Sequence, residues 1–155
     1  MTSSPFTLRS DDDLLATFRT KDQRAVVLPK RGPYPVSVEH YFAWTEPSGV
    51  YTYLVFKRSD WEIPRGLVFQ RNGKGNYHSP AGMCHWCHST GPSDEIALLS
   101  TQIDSHTVGG AWLCLDLSCL LRIEEQAGLA GRPADRRIQK LMHKIGEFYQ
   151  QTQID

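Results

Sequence analysis

The chain has 155 residues, 40% of them hydrophobic and 22% charged, and its 17 basic and 17 acidic side chains give zero formal charge. That length fits one domain able to bury its own core, and the composition excludes wholesale disorder. Zero net charge excludes a global field drawing the protein onto nucleic acid or an acidic membrane.

Residues 1–9 are polar and are expected to form a disordered tail ahead of a single domain over 10–155. Met1–Ser10 lacks the basic and then apolar pattern of a secretory signal, and no apolar run is long enough to span a bilayer. The expectation is a cytoplasmic protein with no membrane partner. In that compartment clustered cysteines serve more often as metal ligands than as disulfides.

Ser10, followed by Asp11-Asp12-Asp13, predicts a helix start. The hydroxyl caps free amides, and the carboxylates meet the positive helix end. Leu14, Leu15 and Phe18 supply its apolar face. The acidic triplet could be read as a metal site, but a solvated first turn accounts for it more simply. Val26-Val27-Leu28 is a short apolar core stopped by Pro29, and two prolines and a glycine make 30–35 a surface connection.

Tyr41-Phe42-Ala43-Trp44 is an aromatic cluster running into a Glu46-Pro47-Ser48-Gly49 turn. Strands are predicted over 50–57 and 66–71, with Leu67 and Phe69 on one face and Val68 on the other. Their connection suggests a meander or hairpin. Asn72-Gly73-Lys74-Gly75-Asn76 is a plain loop without the pattern of a phosphate-cradling one.

Two further strands are predicted over 96–101 and 108–113, the second delivering Cys114. Asp116 is placed to cap a helix carrying Cys119, Leu120, Ile123 and Ala127 and ending near Gly128. After Gly131-Arg132-Pro133, with Pro133 suited to a first helical position, Ile138, Leu141, Met142, Ile145, Phe148 and Tyr149 recur at helical spacing.

All four cysteines fall in two pairs, Cys84-x2-Cys87 and Cys114-x4-Cys119. Two local pairs build a tetrahedral four-thiolate zinc site at low loop-closure cost. The order of knuckle, two strands, then a ligand pair entering a helix is that of a treble-clef zinc finger, here over 83–128. Four sulfurs fill every position, so one Zn²⁺ held by Cys84, Cys87, Cys114 and Cys119 would be structural. His85, His88 and Arg122 are the available donors to offset its charge.

Other readings of these residues remain. Cys84-His85-Trp86-Cys87-His88 overlaps the haem-attachment pattern C-x-x-C-H, although that attachment normally follows export. A dithiol redox centre needs only one pair. His78, His85 or His88 could replace one cysteine, and free buried cysteines are the plainest alternative.

The runs Met83-Cys84-His85-Trp86-Cys87, Val108-Gly109-Gly110-Ala111-Trp112-Leu113-Cys114 and Asp116-Leu117-Ser118-Cys119 resemble the C-terminal domain of the FusB-type, or FBP, family of elongation-factor-G-binding proteins. Upstream, residues 41–47 resemble the family's aromatic-Gly-Trp turn, and 50–57 the strand after it. The resemblance spans roughly residues 10 to 150. It implies a treble-clef zinc finger with the four cysteines as ligands. It also implies a binding protein, not an enzyme, whose partner is elongation factor G, with release of that factor from the ribosome as the family's activity. The chain departs from the family in having Gly110-Ala111-Trp112-Leu113-Cys114 where Gly-Thr-Tyr-Ile-Cys is usual. It also carries no Lys or Arg across 89–113.

The expected fold is therefore α+β: a small antiparallel sheet, a treble-clef zinc finger and a C-terminal amphipathic helix. Candidate partner-binding residues are Trp86 at the knuckle, flanked by His85 and His88, with Trp112 on the strand before Cys114. Arg136, Arg137 and Lys140 lie on the polar side of the last helix. Exposed Trp is a common interface anchor, whereas a Trp packed on the adjacent hairpin is equally compatible with the sequence. The alternative function is a zinc-finger protein binding ribosomal RNA through the basic helix face. No nucleophile-elbow, Walker or H-E-x-x-H pattern supports an enzyme.

Overall fold

Strand β4 (Tyr51–Phe56) is apolar at almost every position because both faces of its sheet are covered. Its alternate residues divide between two cores. Leu54 and Phe56 join one, and Tyr53 and Val55 join the other. Leu67 and Phe69 of β5 (Arg65–Arg71) likewise point into the first core while Val68 packs on the second, as the sequence predicts.

The computed structural model describes residues 3–30, 34–71 and 82–153. Its main sheet is antiparallel with strand order β3-β4-β5-β8-β9, where β3 is Tyr41–Thr45, β8 is Ile96–Gln102 and β9 is Val108–Cys114. The strand expected over 50–57 is β4, and its pairing with β5 is the expected hairpin (Leu54 opposite Leu67). Two short strands, β6 (Gly82–Met83) and β7 (Thr90–Gly91), form a separate ribbon around the first cysteine pair. The glycine-rich 72–76 loop lies outside the described residues.

One face of the sheet carries the cysteines, helix α2 (Cys119–Ala130) and helix α3 (Asp135–Thr152). Ile138, Leu141, Met142 and Ile145 of α3 are buried there, and Phe148 and Tyr149 pack alongside, so the helical spacing in the sequence is met. The other face is covered by the N-terminal segment, whose helix α1 (Asp11–Ala16) begins with Ser10 accepting from the Asp13 amide. Its Leu14 and Phe18 are buried with Tyr53 and Val55.

Phe18 sets the spacing of that layer. The Gly66 amide donates to the Thr17 carbonyl at 2.8 Å, and a Cβ on Gly66 would lie 2.5 Å from the Phe18 ring. Only glycine permits this approach.

Four expectations are corrected. Residues 3–8 are not part of a disordered tail: β1 (Phe6–Leu8) pairs with β2 (Val36–Val38), burying Leu8 and Val38. Val27, in the expected apolar core of 26–28, is exposed. Helix α2 passes Gly128 and stops at Gly131, whose φ of 64° is the left-handed conformation that ends helices. Helix α3 starts at Asp135, with Ala134 rather than Pro133 beside its first turn.

Candidate metal centre

The first ligand pair sits on a tight turn between β6 and β7. The Cys84 amide donates to the Ser89 carbonyl and the His88 amide to the Cys84 carbonyl, each at 2.9 Å. The second pair spans the end of β9 and the first residue of α2, because β9 closes with Cys114 and the helix opens with Cys119. The β8–β9 hairpin lies between them, so knuckle, hairpin and helix follow the treble-clef order.

All four cysteines are buried and their sulfurs lie within 4.8 Å of one another. Cys84 Sγ is 3.6 Å from Cys119 Sγ, and Cys87 Sγ is 3.5 Å from Cys114 Sγ. Tetrahedral thiolates about 2.3 Å from a zinc ion would stand about 3.8 Å apart. The spacing therefore fits one structural Zn²⁺, cross-linking the knuckle to the helix start with no position left for water or substrate.

The sulfurs themselves call for a cation. Cys84 is held down to about 7 by hydrogen bonds from Cys114 and Cys119, and Cys87 is held low by the same two neighbours and Cys84. Cys119 is pushed up, since its hydrogen bonds to Cys114, Cys84 and Cys87 retain its proton and burial disfavours its charge. Four thiolates coexist here only with a positive ion among them, and metal binding must release the remaining protons.

Both ligand turns use a left-handed residue other than glycine: His88 (φ 62°) follows Cys87, and Leu117 (φ 52°) lies between Cys114 and Cys119. Such a conformation costs about 1–2 kcal/mol per residue. Each is fixed by a turn that must present two sulfurs to one point.

The groups offsetting the thiolate charge differ from those expected. The Trp86 amide donates to Cys84 Sγ at 3.4 Å, and the Ser89 hydroxyl lies 3.3 Å from Cys87 Sγ, where it is the donor once that sulfur is a thiolate. Gln126 Nε2 donates to Ser89 Oγ at 3.1 Å, and Arg137 Nη2 donates to Gln126 Oε1 at 2.8 Å. This relay carries a guanidinium's polarisation from α3 through α2 to the metal ligand. Its residues come from three separate segments, so spacing alone could not reveal it. Arg122 instead reaches Ser118 Oγ at 3.5 Å.

His85 and His88 are exposed and stand outside the sulfur cluster. Lys144 of α3 braces the knuckle between them, its Nζ 3.1 Å from His88 Nε2 and 3.2 Å from the His85 carbonyl. His78 lies outside the described residues. Gathering all four cysteines into one centre leaves the C-x-x-C-H overlap without cysteines of its own for thioether bonds, and the dithiol reading without a separate pair.

Asp116, expected to cap α2, accepts instead from Thr45 Oγ1 at 2.9 Å, and Ser118 makes no side-chain cap. Tyr41 takes that role from β3, accepting from the Leu120 amide and donating to the Leu117 carbonyl.

The aromatic candidates separate clearly. Trp86 is 6% exposed, with its ring edge-on to Phe69 and Phe148 at 5.9 Å each, so the expectation of an exposed knuckle anchor is corrected. The bond of α3 to the sheet needs that ring inside. Trp112 is 39% exposed on β9, the last strand of the sheet. On α3, Arg136 and Lys140 are exposed while Arg137 is partly covered and engaged with Gln126. Among the described residues no helix is long and apolar enough to cross a membrane.

Residues 14–153 match a family described as the FBP C-terminal treble-clef zinc-finger. No curated protein and no solved structure matches the chain.

Proposed function

We propose, from membership of the FBP C-terminal treble-clef zinc-finger family to which this chain belongs, that the protein is a zinc-braced module binding elongation factor G and promoting its release from the ribosome. The observation that carries the reading is the family match across 14–153 together with an intact four-sulfur centre. It is a binding role and not catalysis, because the centre has all four ligand positions filled and serves to hold surfaces in place.

The anchor for that partner is Trp112 rather than Trp86. On β9, Val108, Gly110 and Trp112 share the face turned away from the buried Ala111 and Leu113. Val108 and Trp112 are both exposed there. The same face continues into a concavity of about 680 Å³ lined by Tyr51, Val68, Gln102 and Val108, with Lys21 and Asp104 at its margin. The exposed Trp112 and Val108, with a depression beyond Val108 that mixes Tyr51 and Val68 with polar side chains, give this face an aromatic and aliphatic centre with a polar margin, the composition of an interface.

Titration of purified elongation factor G against the zinc-loaded protein tests this. Wild type binds, and Trp112→Ala weakens binding at least tenfold with unchanged zinc content. Absence of micromolar binding by the wild type overturns the reading, and equal binding by Trp112→Ala moves the anchor elsewhere.

A further inference from the structure

A row of cations runs from the connection ahead of α3 along the outer side of that helix. Arg132, Arg136, Lys140 and Lys144 follow one another at intervals of four residues, and Arg132, Arg136 and Lys140 are exposed. Within α3 each such interval advances about 6 Å along one face. Among the described residues none of these four forms an ion pair, and the His143–Glu147 pair marks the far end of the row. A chain of zero formal charge therefore concentrates positive charge on one ridge, with Asp135 the acidic neighbour of Arg132 and Arg136 at its start.

The shape and chemistry of the ridge select its partner. A shallow depression of about 510 Å³ lies between Arg136, Gln139, Lys140, His143 and Lys144, lined by long polar side chains whose heads are cationic or polar and whose aliphatic stems make up most of the surface. Protein interfaces place apolar and aromatic groups at the centre and are depleted of Lys there. Single-stranded nucleic acids are held by aromatic side chains on which bases stack. The ridge residues include no Phe, Tyr, Trp or branched apolar side chain, only the stems of Arg, Lys and Gln beside His143, and Trp86 of the neighbouring knuckle is turned inward. What remains is a ladder of donors on the scale of successive phosphates along one strand, which fits a duplex recognised through its backbone and shape.

We infer that the Arg132–Lys144 ridge docks the phosphate backbone of double-helical RNA, a second binding surface separate from the Trp112 face. The assignment to RNA rather than DNA rests on the ribosomal setting of the proposed function. Lys144 joins this surface to the metal centre, because its ammonium also braces the His85 carbonyl and His88.

The test uses the full zinc-loaded chain and a labelled RNA duplex of mixed sequence, with binding followed by fluorescence anisotropy at increasing potassium chloride. Contacts to roughly three or four phosphates give a log–log slope of about −3. The double variant Arg136→Gln, Lys140→Gln is expected to lower that slope by about two and to weaken low-salt binding at least tenfold. Its zinc content and circular dichroism should match wild type. Arg24→Gln, on the opposite side of the sheet, should leave RNA binding unchanged.

A salt-independent or absent RNA signal overturns the inference, as does an unaltered double variant. Equal affinity for the same sequence as duplex DNA overturns the assignment to RNA. Loss of elongation factor G binding in the double variant, with no RNA binding in wild type, shows the ridge to be an acidic-protein site instead. If wild type binds RNA with the expected slope but not elongation factor G, the ridge stands and the proposed function fails.

Discussion

Tyr41 and Leu120 are 79 positions apart in sequence, yet the Leu120 amide donates to the Tyr41 phenol at 3.1 Å. The same phenol donates to the Leu117 carbonyl at 2.5 Å. A strand at one edge of the sheet thus supplies the cap for the helix that opens with the metal ligand Cys119. Burial raises the phenol's pKa, so it keeps the proton needed for that second bond throughout the neutral range.

Tyr41→Phe should cost about 1–3 kcal/mol, because it leaves a helix amide and a carbonyl without their partner. It should also loosen the metal, since the start of α2 holds Cys119. Urea unfolding and zinc competition with a chromophoric chelator check both effects. A variant as stable as wild type with unchanged zinc affinity would show that water replaces the phenol.

Removing the metal should act unevenly. Amides of α2 and of the β6–β7 knuckle should lose hydrogen-exchange protection, because the metal is the strongest tie between them, the Gln126–Ser89 hydrogen bond being a single weak one beside it. The β3–β4 ladder should keep its protection, being backed by the second core on its other face. Hydrogen exchange with and without chelator reads this directly. Uniform loss across the sheet would contradict it.

Glu46 closes the β3–β4 turn by accepting from the Ser48 hydroxyl, the Ser48 amide at 2.8 Å and the Val50 and Tyr51 amides at 3.0 and 3.2 Å. These bonds, that to the Ser48 hydroxyl foremost, hold its carboxyl at about 2 against an ordinary 4.5. The folded state therefore favours the charged form. Its contribution to stability is complete above pH 4.5, shrinks as the pH falls, and is gone below about 2. Glu46→Gln should be destabilised relative to wild type at neutral pH, with the gap closing across that window. Paired acid and urea titrations measure it, and a pH-independent gap would refute the linkage.

Trp86→Ala should destabilise the fold by about 3–5 kcal/mol, the cost of emptying a buried aromatic site. The ring fills the space between Phe69 and Phe148, so the loss falls on the packing of α3 against the sheet. Thermal unfolding should show this effect even where no partner is present. Trp112→Ala, exposed on β9, should change stability little and so separates packing from binding.

The metal ligands are legible in the sequence because ligand spacing is local: two short turns each present two sulfurs, whatever surrounds them. The alternation of Leu67, Val68 and Phe69 and the helical repeat from Ile138 to Tyr149 were legible for the same reason, since periodicity reports which side of an element meets the core. The tertiary structure decided the rest. Trp86 turned inward because Phe69 and Phe148, from β5 and α3, meet behind the knuckle. Asp116 yielded the cap of α2 to Tyr41 because β3 passes beside the helix start. The Arg137–Gln126–Ser89–Cys87 relay exists only once two helices and the knuckle are packed together. The cysteine pairs specify a metal by their own chemistry, but the charge around it and the faces left open to a partner depend on long-range packing, which short-range spacing does not encode.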